Sequence, residues 1–295
     1  MKQRTGLILA FASLLVSAEA RAQKLDLELV EQSVRYINDL QNNDGGFGTS
    51  ASDRASDLGA TTTALRALKY LHPEARPRNR ESPKEFVLKC YHPETGSFSL
   101  KPGQEHDVRS TAMGLMAMAE LKMPVANYAK AIDQYFATRA NSLPDIYIAT
   151  AALHSAELPA SKAAEWIASY EATRGEGGRY GNAVVETAGA VNTILRLGGS
   201  LQNRAATAAY IRASQLEDGG FAKPGSGSDL ATTYRMMRAL WMLKERPNLE
   251  RCRGFLARCR NDDGGYGVEP GKPSSVSATY YAAIVLHWLE ELERR

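Results

Sequence analysis

One short phrase returns along this chain almost unchanged: Asn43-Asp44-Gly45-Gly46-Phe47, Glu217-Asp218-Gly219-Gly220-Phe221 and Asp262-Asp263-Gly264-Gly265-Tyr266. Weaker copies are Thr95-Gly96-Ser97-Phe98 and Gly177-Gly178-Arg179-Tyr180. Gly46 lies 51 residues before Ser97, Gly178 lies 42 before Gly220, and Gly220 lies 45 before Gly265. The 81 residues between Ser97 and Gly178 leave room for one degenerate copy. Periods of this length belong to arrays of helical pairs, in which each unit buries its apolar face only against its neighbours.

Each unit reads alike. An apolar-periodic helix precedes the glycines, as in Leu27 to Leu40, Ala205 to Gln215 and Cys252 to Cys259. The glycine pair is expected to stop it, because glycine accepts the left-handed conformation common at helix ends. The aromatic that follows is expected to pack back as a plug. After a polar loop a second helix opens at Asp57, Asp107 or Asp229. These second helices carry small residues, for example Gly59-Ala60-Thr61-Thr62-Thr63-Ala64 and Ser110-Thr111-Ala112-Met113-Gly114. Small side chains suit helices crowded on several sides, so the second helices are read as an inner ring and the first as an outer one. Six pairs can be counted, over 27–71, 82–121, 126–158, 160–197, 201–243 and 247–291. An open array needs atypical polar ends. Here the first and last units are among the most regular, which predicts an all-α closed ring filling one domain.

The N-terminus has another signature. Lys2 and Arg4 precede an apolar stretch from Gly6 to about Ala18, and Ala20-Arg21-Ala22 supplies small residues where signal peptidase reads. The expectation is a signal peptide over 1–22, a mature domain over 23–295, and an exported protein. Cleavage would leave 33 basic and 32 acidic residues, so the formal net charge of +3 falls to +1. A near-neutral chain has no electrostatic case for nucleic acid or an anionic membrane. No apolar run reaches the roughly 20 residues of a membrane-spanning helix. Cys90, Cys252 and Cys259 are too few for a disulfide scaffold. Cys252 and Cys259 stand seven apart on one helix, roughly 10 Å along its axis, too far to bridge. Buried thiols are the reading.

The glycine-glycine-aromatic phrase, the Asp that follows it and the count of six pairs resemble the prenyltransferase/squalene-cyclase repeat family, most closely the β subunits of protein prenyltransferases. The resemblance covers essentially the whole mature chain. It implies an α/α toroid around a central cavity. Asp107-Val108-Arg109-Ser110 stands where that family has an Asp-x-Arg facing the active site, and Gly219-Gly220-Phe221 leads to Asp229 with family-like spacing. The resemblance implies a zinc held by an Asp-x-Cys pair and a later His. Asp229 matches the first ligand, but Ala231 stands at the Cys position and Ala278 at the His position. Zinc keeps the acceptor thiolate nucleophilic, and a catalytic zinc site takes three protein ligands. The resemblance also puts Ala112 and Arg235 where the family has aromatics, places Lys223 and Lys272 near its diphosphate-binding cations, and puts Ala183 where it has a His. The Asp-x-Asp-Asp cluster of terpene cyclases and the Cys-Gly-Glu-Gln segment of thioester-forming toroids are absent from the sequence.

The candidate ligand-binding residues are therefore Asp57, Asp107, Arg109, Lys223, Asp229, Arg235 and Lys272. The recurring Asp can cap each inner helix, form a ring of carboxylates at one mouth, or do both. Arg109 and Arg235 lie on inner helices, where a charge must be paired or face a wet cavity. His106 is a secondary acid–base candidate, and Glu186 a candidate to replace a lost polar group in the fourth unit. Three functions follow. The first is a binding module that keeps the cavity for a small-molecule, lipid or peptide ligand, or engages a protein partner, without the zinc. The second is an active prenyltransferase or other isoprenoid enzyme. The third is a carboxylate-based enzyme, such as a polysaccharide-processing one.

Overall fold

The computed structural model describes residues 27–295; the expected signal peptide lies outside the described residues. Twelve α-helices alternate between two layers. The outer helices are α1 (residues 27–39), α3 (Ser82–Lys89), α5 (Ala126–Arg139), α7 (Ala163–Glu171), α9 (Arg204–Ala213) and α11 (Leu249–Cys259). The inner helices are α2 (Leu58–Leu71), α4 (Val108–Glu120), α6 (Leu143–Ser155), α8 (Val184–Arg196), α10 (Leu230–Leu243) and α12 (Val276–Arg294). Each inner helix packs on the next, and α12 packs on α2, so the ring is closed. Two hairpins are the strands among the described residues. β1 (Tyr91–His92) pairs antiparallel with β2 (Ser97–Phe98), and β3 (Tyr266–Gly267) with β4 (Ser274–Ser275).

The seam is built like the other joints. Val276 N–H donates to the Thr49 carbonyl at 2.9 Å, joining the sixth unit to the first. The same bond joins the first unit to the second (Leu58 to Leu100, 2.8 Å) and the fifth to the sixth (Leu230 to Val268, 2.8 Å). Small inner residues allow the crowding that closure requires. Ala64, Ala67, Ala112, Ala117, Ala149, Ala188, Ala190 and Ala239 are fully buried.

The aromatic plugs behave as the sequence implies. Phe47, Phe98 and Phe221 are completely buried, and Tyr180 and Tyr266 nearly so; burying one such ring contributes about 1.5–3 kcal/mol. Each plug is also pinned by its own backbone. The N–H groups of Phe47, Phe98, Tyr180, Phe221 and Tyr266 donate to the hydroxyls of Thr61, Thr111, Thr187, Thr233 and Thr279 at 3.0–3.1 Å. Sequence reading did not single out this threonine, although it sits four residues after every cap position in these five units.

The glycine pair does not stop the outer helices. α1 ends at residue 39, α9 at Ala213 and α11 at Cys259, short of Gly45, Gly219 and Gly264. The aspartate before the pair shapes the turn: Asp44, Asp218 and Asp263 each accept the second glycine's N–H and a downstream serine hydroxyl. The first glycine lets the next outer helix approach. At Gly264, φ is +86°, and a Cβ would stand 2.6 Å from the Gln32 carbonyl oxygen of α1. Cys90, Cys252 and Cys259 are free and buried, and burial pushes each thiol up to about 12. Among the described residues no helix is long and apolar enough to cross a membrane.

Candidate functional site

Parallel inner helices of similar length give a shared register, counted from each N-cap. The caps are Asp57, Asp107, Ser142, Ala183, Asp229 and Ser275. Helical periodicity turns one stripe per helix toward the axis, and the sixth residue after the cap lines the lumen in every unit: Thr63, Met113, Ile148, Gly189, Arg235 and Tyr281. The central cavity has a volume of about 1350 Å³, above the roughly 300–1,000 Å³ of drug-sized sites. Exposed lining residues stand at both ends, Arg109 and Glu186 at the cap end and Lys69 and His154 at the other.

The candidates divide accordingly. Arg109 and Arg235 line the cavity, and Arg235 lies 4.9 Å from the Tyr147 ring centroid. Ala231 also lines it, whereas Ala112 and Ala278 are buried in the ring wall. Asp57, Asp107 and Asp229 stand outside the lining and cap their helices. Their carboxylates accept N–H bonds from Ala60 (2.7 Å), Ser110 (2.6 Å) and Thr232 (2.8 Å). The second oxygen of Asp229 accepts the Thr232 hydroxyl at 2.7 Å. Burial raises the Asp57 carboxyl despite the lowering by its cap bonds to Ala60 and Gly59. Lys223 and Lys272 are exposed on loops away from the lumen. Glu186 reaches back to accept from Asn182 N–H (2.6 Å) and Ala183 N–H (3.0 Å), while the cap position itself, an alanine, makes no side-chain bond to the helix. His106 pairs with the Tyr135 hydroxyl at 3.0 Å. Among the described residues no group of three or more His, Cys, Asp or Glu side chains could hold a metal.

The most charged part of the lumen lies toward the C-terminal ends of the inner helices, on residues that sequence reading did not select. Arg66 and Arg238 sit nine residues after the caps of α2 and α10, and Arg196 thirteen after that of α8. Arg66 Nε donates to the Tyr280 hydroxyl (3.1 Å) and a second guanidinium nitrogen to Ser155 Oγ (3.0 Å). Glu120 is 3.6 Å from Arg66 and 3.0 Å from Lys69. Arg238 donates to the Tyr234 hydroxyl at 3.0 Å and lies 4.6 Å from the Trp288 ring centroid. Arg196 lies 5.7 Å from the Tyr147 ring centroid.

Two buried donors here have no hydrogen-bond partner, Arg238 Nε and Arg196 Nη1. Aromatic rings complete the wall: Tyr234 stacks on Tyr281 (4.8 Å) and Trp288 (5.7 Å), and Trp288 stacks on Trp241 (5.8 Å). Burial alone would push the Tyr234 phenol up, but the charges of Arg238, Arg66 and Arg196 together outweigh it and bring the group below the usual phenol range. His154 is lowered by burial and then by Arg196 and Arg238. The alignment of caps would have found these arginines, as charges on otherwise small and apolar helices.

Comparison with known proteins agrees with this architecture. A protein geranylgeranyltransferase-I from Candida albicans, complexed with GGPP, is 14% identical with a TM-score of 0.65, covering 78% of this chain and 83% of that one. A variant of the type II terpene cyclase MstE from Scytonema, in complex with geranylgeranyl dihydroxybenzoate, is 13% identical with a TM-score of 0.62, covering 91% and 97%. A polysaccharide lyase is 13% identical with a TM-score of 0.58, covering 91% and 98%. Such identities establish likeness of fold and nothing finer. No curated protein sequence matches significantly. The prenyltransferase alpha-alpha toroid domain model matches residues 6–142 and 130–295. With its closed double ring of six helical pairs, the chain belongs to the prenyltransferase α/α-toroid domain family.

Proposed function

We propose that this chain is an exported binding module whose central cavity holds a small-molecule ligand, and that the zinc-dependent transfer chemistry of prenyltransferases has been lost from it. The observation that carries the reading is the contrast between the two ends of the lumen. At the cap end, the one residue matching the family's zinc ligands, Asp229, has one oxygen on the Thr232 N–H and the other on the Thr232 hydroxyl, and alanines, Ala231 and Ala278, stand at the other two ligand positions. That donor set does not fit a zinc ion, which needs three protein ligands at a catalytic site. The lumen, by contrast, keeps a cavity of about 1350 Å³ lined by aromatic rings and by charged side chains, Arg66, Arg109, Arg196, Arg235 and Arg238 among them, and apolar walls with convergent polar groups are what a ligand site offers. Export rests on the N-terminal signature of residues 1–22.

Because Asp57, Asp107 and Asp229 do not line the cavity, a carboxylate-based enzyme would draw instead on the lining Glu120, Asp145, Glu157 and Glu186. The test has two parts, run on purified mature protein prepared without chelators. Zinc content is expected at background, and no prenyl group is expected to pass from a fluorescent prenyl diphosphate to a cysteine peptide. One equivalent of zinc together with transfer would overturn the reading. Geranylgeraniol, geranylgeranyl phosphate, a neutral tetrasaccharide and a tetrauronate are the probes for the cavity. At least one is expected to raise the thermal midpoint, since a ligand at 100 times its Kd adds about 2.7 kcal/mol; stabilisation by none would count against the cavity as a binding site.

A further inference from the structure

The charge in this lumen is in an unexpected place. The resemblance puts anion-binding cations at Lys223 and Lys272, yet both are exposed on loops outside the cavity. Arg66, Arg196 and Arg238 gather instead deep in the lumen, near the opposite end of the inner helices. The carboxylates lining that end are Glu120, shared between Arg66 and Lys69, and Glu157, which faces His154. Arg66 is engaged through Nε by Tyr280 and through Nη1 by Ser155 and Glu120. Arg238, only 9% exposed, leaves Nε without a partner, and Arg196 leaves Nη1 without one. A buried charged donor left unmade is costly. Helix dipoles favour cations near C-termini, which accounts for the positive charge but not for unpaired N–H groups at a cavity wall. Guanidinium groups present two parallel donors to carboxylate or phosphate oxygens, and the flanking rings of Tyr147, Tyr234 and Trp288 hold these guanidiniums in place.

Building on the cavity-binding reading, we propose that this cluster binds the anionic group of the ligand, a carboxylate or a phosphate, on Arg196 and Arg238 with Arg66 supplying further positive charge. The ligand then enters with its charged group deep in the lumen and its uncharged body along the aromatic wall.

Calorimetric titration of the mature protein with matched probes tests this. One pair is geranylgeranyl phosphate against geranylgeraniol; the other is a tetrauronate against its methyl ester. In one pair the anionic member is expected to bind roughly 10- to 100-fold more tightly, the range of one or two charge-assisted hydrogen bonds. The pair that responds separates a lipid phosphate from a sugar acid. Arg238→Met should erase the preference, bringing the anionic member's affinity down to that of the neutral member, and Arg238→Lys should restore part of it. Arg196→Met provides a second variant should Arg238→Met fail to fold. Equal affinity within both pairs would overturn the anion site alone and leave the cavity reading standing; the arginines would then serve the helix C-termini. Binding of no probe would overturn both.

Discussion

Replacing Gly264 by alanine tests the closed ring at its seam. The residue has φ +86°, and a Cβ there would lie 2.6 Å from Gln32 O and 2.7 Å from Gln32 C, both backbone atoms of α1. The left-handed conformation costs an alanine about 1–2 kcal/mol. Separating the two backbones adds about 1–3 kcal/mol, by analogy with overpacking in a core. The shift also strains the 2.7 Å bond from Ser33 Oγ to the Gly264 carbonyl. The expected loss is therefore about 2–5 kcal/mol. Gly271 provides the control: its φ is +77°, but a Cβ there meets nothing within 4 Å. Gly271→Ala should lose only the conformational part, about 1–2 kcal/mol. Equilibrium urea denaturation of both variants gives the comparison, with midpoints shifted and slopes unchanged. Equal losses at the two positions would refute the close approach of the sixth unit to the first, and with it the described closure.

Other outcomes follow from the caps, pins and buried groups. Asp57→Ala and Asp229→Ala should each cost about 0.5–2 kcal/mol of stability without changing the affinity of a cavity probe; loss of binding with stability intact would return these carboxylates to the site. Thr233→Val removes the acceptor of the Phe221 N–H and should cost about 1–3 kcal/mol in urea denaturation. All three thiols should stay silent toward an aromatic disulfide reagent in the native protein and react in denaturant; a fast native thiol would contradict their burial. The charges of Arg238, Arg66 and Arg196 hold the Tyr234 phenol below its ordinary value of 10.0 in the folded state, so below that value the folded chain binds fewer protons than the unfolded one and stability rises with pH. An ultraviolet phenolate titration should lose its lowest step in Tyr234→Phe, and the same variant should flatten the rise in stability.

The recurring phrase made the fold legible because it encodes the joints between units. Asp44, Asp218 and Asp263 shape the turns, the following glycine admits the next helix, and the aromatic plug anchors to an inner threonine. The third unit lacks the phrase, yet its helices α5 and α6 occupy the expected span because the ring leaves a fixed space for them. The role of the glycines was misjudged: a Gly-Gly pair after an apolar run reads as a helix stop, and only tertiary packing reveals the backbone of the next unit against it. The cavity was less legible. Arg109 and Arg235 stood out as charges on small-residue helices, and both line it. Arg66 and Arg238 share the ninth position after their caps, and only by aligning those caps across helices distant in sequence do they come, with Arg196, to one end of the lumen.

A cavity-filling substitution is the most direct test of the lumen as the binding site. Gly189 lines it from the middle of α8, and a Cβ there meets nothing within 4 Å. Gly189→Phe has open space for its Cβ and removes the roughly 0.5–1 kcal/mol that glycine in a helix interior costs relative to alanine, while its ring occupies the space a ligand needs. The measurement is the thermal midpoint of parent and variant with and without the probe that most stabilises the parent. A shift in the parent and none in Gly189→Phe is the predicted result. An equal shift in both would place the ligand outside the ring.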